Sequence, residues 1–191
     1  MNENELTGLL ESLRRMGSDD FNVEVKESAT TLSRDVWETV SAFANTAGGI
    51  IVLGVSERAG FVPVANFETE KVLNQFVSGM GDAGGRGKLA NPPKYTIERV
   101  ELQGVIVLVI TIEELDPSSK PCYVIERGAQ GGSYKRIDDK DVPLSSTEVL
   151  ALASYGRATP SDRDAVAGAG ADDLDEMLVD RTIDRAFSLT P

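Results

Sequence analysis

An α+β fold, a mixed sheet flanked by helices, is predicted by three features of the sequence. Segments of helical and of strand periodicity are interleaved along the chain, and both kinds of element then have to bury their apolar sides on one another. Ile50 to Val55 is almost wholly apolar, the pattern of a central strand covered on both faces. KYTIERVEL and VIVLVITIE flank Gln103-Gly104, a tight-turn pair that predicts an antiparallel hairpin.

The elements follow in order. Leu6, Leu9, Leu10, Leu13 and Met16 recur at helical spacing over residues 4–16, and Gly17 to Asp20 breaks that helix. FNVEVK (21–26) alternates, with Phe21, Val23 and Val25 on one face and Asn22, Glu24 and Lys26 on the other. It reads as a short half-buried strand. A second helix is expected from an N-cap at Ser33, with Asp35 in its first turn and Val36, Trp37, Val40, Phe43 and Ala44 as its buried stripe. Gly48-Gly49 ends it and leads into the Ile50–Val55 strand. Val72, Leu73, Phe76 and Val77 predict a helix over about 68–80, and the glycine- and proline-rich segment 81–93 a loop. After the hairpin, 121–126 and 133–137 are expected to pair around RGAQGG, and Pro143 opens a helix to about Tyr155 with Glu148 in its first turn. The expected organisation is a domain over 1–156, a linker over 157–171 and a terminal helix over 172–191. Leu174, Met177, Leu178, Ile183 and Phe187 give that helix an apolar stripe which needs a partner, on this domain or in a second subunit. The short run after the linker suggests a piece of a longer protein.

Composition prunes the chemistry. A 41% hydrophobic and 26% charged chain is globular in type. Its single cysteine, Cys122, forms no internal disulfide, so a cytoplasmic, reducing setting is the expectation. The absence of histidine removes Ser-His-Asp and Cys-His catalysis and His-ligated zinc. Carboxylates, Lys, Arg, hydroxyls and hard cations remain. The net charge of -12 argues against a uniformly basic nucleic-acid binder. The charge is uneven, however: residues 161–191 hold eight acidic and three basic residues, while 84–136 hold eight basic against six acidic. A local basic face is therefore compatible with the total.

The glycine-rich loop before Lys88 is not a phosphate-cradling loop. Asp82 stands where that pattern needs its first Gly, and Leu89 follows Lys88 where it needs Ser or Thr. Arg86 and Lys88 remain candidates for touching a polyanion. Glu24 and Lys26, two apart on a strand, share a face. On its own that spacing gives an exposed ion pair of about 1 kcal/mol or less. Trp37, among helical apolar neighbours, reads as core.

EVKES (24–28), then VSAFANTAGGIIVLGVSE (40–57), VIVLVITI (105–112), KPCYV (120–124) and GGSYKRID (131–138) together resemble the Schlafen AlbA-like domain of bacterial transcriptional regulators and vertebrate Schlafens. The resemblance covers roughly residues 5–155, and its AFANT-GG core is the specific part. It implies a nucleic-acid-binding domain, with DNA expected over RNA. Lys26, Arg86, Lys88, Lys135 and Arg136 are the expected contacts. It also implies an alternative, the metal-dependent RNase of some Schlafens, whose three acidic residues fall by position on Asp19, Glu24 and Glu57. Mg²⁺ or Mn²⁺ would be the ion and Lys26 a catalytic partner. The family's usual residues at the outer two positions are Glu and Asp, so Asp19 and Glu57 are exchanged in length, and catalytic geometry tolerates little displacement. A third expectation is an assembly module that forms a homo-oligomer through the terminal helix.

Overall fold

The structure, a computed structural model, describes residues 1–17 and 21–155. These fall within the first of two units, Met1–Arg157. Asp19, the linker expected over 157–171 and the helix expected over 172–191 lie outside the described residues.

Helix α1 (Glu3–Met16) opens with a reciprocal cap. Asn2 Oδ1 accepts from the Glu5 amide at 3.0 Å, and Glu5 Oε2 accepts from the Asn2 amide at 2.7 Å. Strand β1 (Val23–Lys26) leads to α2 (Val36–Asn45) and then to β2 (Gly49–Leu53). Next come β3 (Val55–Ser56), β4 (Val62–Pro63) and α3 (Thr69–Met80). Strand β5 (Leu89–Ala90) precedes the long hairpin of β6 (Tyr95–Leu102) and β7 (Val105–Ile112). Strand β8 (Tyr123–Val124), the short α4 (Gly128–Gly132), β9 (Tyr134–Ile137), β10 (Lys140–Pro143) and α5 (Ser146–Tyr155) complete the described chain.

The main sheet has the order β1-β2-β7-β6, with β1 and β2 parallel and the other pairs antiparallel. Helix α2 returns the chain between the two parallel strands, as a parallel pair requires. Strand alternation then sorts the apolar side chains into two cores. Ile51, Leu53, Leu108, Ile110 and Ile112 pack with Val36, Val40 and Phe43 of α2 and Val72 and Phe76 of α3. Val23, Val25, Val52, Val107 and Val109 pack with Leu6, Leu10 and Leu13 of α1. The expected mixed sheet flanked by helices is thus present, with β2 inside it.

Three local expectations are corrected. The second helix begins at Val36 with Asp35 at its N-cap; Ser33 instead donates its hydroxyl to the Asp35 carboxylate. The apolar run is cut at Gly54, whose φ of 94° takes it out of the strand. A Cβ there would lie 2.6 Å from the Phe67 ring, so the break is enforced by packing as well. Segments 121–126 and 133–137 do not pair with each other. β8 pairs with β5, and β9 with β10, because the intervening RGAQGG coils into α4.

Candidate nucleic-acid interface

The polar residues of α2 tie the smaller strands to the main sheet. Asn45 Nδ2 donates to the carbonyls of Cys122 and Tyr134, each at 2.9 Å, and Asn45 Oδ1 accepts from the Cys122 amide at 2.8 Å. Ser41 Oγ donates to the Cys122 carbonyl at 2.9 Å and accepts from the Tyr134 amide at 3.0 Å. Thr46 Oγ1 accepts from the Arg136 amide at 2.9 Å. A helix side chain thus does what a neighbouring strand would do in a wider sheet. Cys122, held here, is fully buried, and burial pushes its thiol up to about 12.

The same staple sets Arg136 against α2, its amide on Thr46 at the helix C-cap. The residue is 3% exposed, with its guanidinium 5.2 Å from the Phe43 ring centroid. Arg136 Nε donates to the Phe21 carbonyl at 3.1 Å and Nη2 to the Val23 carbonyl at 3.2 Å. Its Nη1 lies 2.9 Å from both Glu24 Oε2 and Asp141 Oδ1. Lys26 Nζ donates to Glu24 Oε1 and to Asp35 Oδ2, each at 2.8 Å. Thr39 Oγ1 donates to Asp141 Oδ2 at 2.7 Å. Burial alone would lower the Lys26 ammonium, but Glu24 and Asp35 outweigh it and hold the pKa above the ordinary lysine value. Burial would likewise raise Asp35, and Lys26 and Ser33 bring it below the aspartate range instead. The Glu24–Lys26 pair is therefore an internal one and not the exposed pair that its spacing suggests.

The residues that the sequence groups together are distributed as follows. Glu24, Lys26 and Arg136 meet in this cluster. Lys135 is paired with Glu148 of α5. Glu57 is exposed, in a depression lined by Arg14, Gly17, Arg58, Gly60 and Phe61. Asp19 lies outside the described residues. Among the described residues no group of three His, Cys, Asp or Glu is arranged to hold a metal ion, and both Glu24 oxygens already face cations.

Arg86 and Lys88 lie elsewhere, in a groove of about 860 Å³ beside α2 and α3. Arg34 and Lys71 join them on its rim; Leu32, Trp37 and Gly79 belong to its lining. Four cations and no carboxylate line this groove. Lys71 and Lys88 each have an acidic neighbour outside the lining, Glu68 at 2.9 Å and Glu126 at 2.8 Å. Such exposed pairs contribute about 1 kcal/mol or less and open readily for a phosphate. Trp37 is 9% exposed, stacked on Phe76 at 5.5 Å. Its ring crosses Gly79 so closely that a Cβ there would lie 2.2 Å from Trp37 Cη2. Past Trp37 a second depression of about 430 Å³ shares Arg34, Trp37 and Lys88 and adds Arg127 together with Glu38 and Glu126, which pair with Arg127 and Lys88. Arg34 and Lys71 escape a reading of the sequence, since only the packing of α2 against α3 brings residues 34, 71, 86 and 88 together. The one signal is local: Lys71, Asn74, Gln75 and Ser78 fall on one polar face of α3.

No helix of the described residues is long and apolar enough to cross a membrane. No curated protein matches the chain. Among solved structures, the N-terminal domain of an ATP-dependent DNA helicase RecG-related protein from Nitrosomonas europaea is similar, with 29% identity and a TM-score of 0.53. That match covers 71% of this chain and 90% of the other. The DIP2311 protein of Corynebacterium diphtheriae matches at 17% identity and a TM-score of 0.49, over 98% of this chain and 35% of its own length. The family model described as Schlafen, AlbA_2 matches residues 19–145, well over half of the sequence, and the chain belongs to that family.

Proposed function

We propose that this domain binds nucleic acid, DNA in the first place, along the groove rimmed by Arg34, Lys71, Arg86 and Lys88, and that it serves as the nucleic-acid-contacting part of a transcriptional regulator. One observation carries the reading. In a protein of net charge -12, four cations and no carboxylate line one groove. Concentrating positive charge against the overall balance is useful when the ligand is a polyanion, because neutralised phosphates release their counterions. The choice of DNA is supported by the Nitrosomonas europaea relative, which is named as related to a DNA helicase. Lys26 and Arg136 support the groove indirectly: Lys26 holds Asp35, the residue after Arg34, while Arg136 anchors the strands beneath.

Charge reversal tests the assignment. Arg86→Glu with Lys88→Glu weakens binding to a labelled DNA oligonucleotide at low salt by at least about tenfold. Lys94→Glu with Lys140→Glu, the same change in net charge outside the groove, weakens it far less. Equal losses in the two double variants would mean that net charge, and not this groove, governs binding.

A further inference from the structure

Resting on that reading, we propose that the groove takes a single-stranded nucleic acid, with bases against its apolar floor and phosphates on its cationic rim. A duplex keeps its base faces stacked inside and offers a protein phosphates, sugars and base edges. Cations alone would suffice for that. This groove is open, and beside its cations its lining is more apolar than polar, with Leu32, Trp37 and Gly79 among the apolar part. An apolar floor beneath a charged rim matches a ligand that carries planar apolar faces and phosphates side by side. On the α3 wall, Asn74 and Ser78 supply amide and hydroxyl groups of the kind that meet base edges, while Gln75 Oε1 accepts from the Leu32 amide at 2.7 Å.

The groove also continues. Arg34, Trp37 and Lys88 line both depressions, and Arg127 stands at the far one. Cations thus recur past Trp37, where Glu38 and Glu126 pair with Arg127 and Lys88 and a strand's phosphates would have to displace them. Trp37 has one ring face on Phe76 and 9% of its surface exposed, so bases would lie along its edge and along Leu32 and not on an open stacking platform.

Trp37 is the chain's single tryptophan, so its fluorescence reports on the groove alone. The full chain is titrated at one salt concentration with a short single-stranded DNA, the single-stranded RNA of the same sequence, the corresponding DNA duplex, and an abasic single strand of equal length. The expected result is that an intact single strand binds about tenfold or more tightly than the duplex and changes Trp37 emission. The abasic strand loses most of that advantage. The DNA and RNA arms show which sugar is preferred, and tighter binding by either intact strand supports the inference. A duplex that binds as tightly as the single strands, or an abasic strand equal to the intact one, would overturn it while leaving nucleic-acid binding in place. Absence of binding to every probe would remove the groove's role and this inference with it.

Discussion

Glu24 takes Lys26 on one oxygen and Arg136 on the other, and Arg136 in turn carries Asp141 and two backbone carbonyls of the β1 region. Removing the guanidinium leaves Glu24 with Lys26 and Asp141 with Thr39 as the remaining partners, both carboxylates largely shielded from water. Arg136→Met is therefore expected to lower the unfolding free energy by about 3–5 kcal/mol. The check is a fall in the urea midpoint with the slope unchanged. A loss under about 1 kcal/mol would show that the pairs are no stronger than exposed ones. The same cluster explains why Arg136 reads from sequence as one more cation of a basic stretch. Counting charges along 84–136 carries no information on depth, and nothing in GGSYKRID says that the face of β9 shared by Tyr134 and Arg136 is the buried one.

At the scale of elements, α2 organises its surroundings twice, through an apolar stripe and through Ser41, Asn45 and Thr46. The stripe was legible, because helical spacing alone places Val36, Val40 and Phe43 on one side. The polar staple was not. A buried asparagine is recognisable only once its partners, Cys122 and Tyr134, are known to pass beside it. For the same reason the hairpin at Gln103-Gly104 could be read locally, while the pairing of β8 with β5 could not. The first depends on two adjacent turn residues; the second depends on strands of two residues brought together across the chain. Asn45→Ala leaves the Cys122 amide and the Cys122 and Tyr134 carbonyls without these partners. A destabilisation of about 2–4 kcal/mol follows. Faster modification of Cys122 by a thiol reagent accompanies it, since loosening β8 relieves the burial that holds the thiol near 12. Unchanged reactivity together with unchanged stability would contradict the staple.

Across the whole molecule, a net charge of -12 and a carboxylate-free groove of four cations pull in opposite directions. The acidic remainder repels phosphates at long range, and screening by salt weakens that repulsion along with the attraction. Contacts in the groove are therefore expected to set the salt dependence of binding. The most direct measurement is the affinity of the full chain for single-stranded DNA across a series of salt concentrations. With four phosphate contacts, log K is expected to fall linearly with log salt at a slope of about -3. A flat or rising dependence would contradict phosphate recognition by Arg34, Lys71, Arg86 and Lys88.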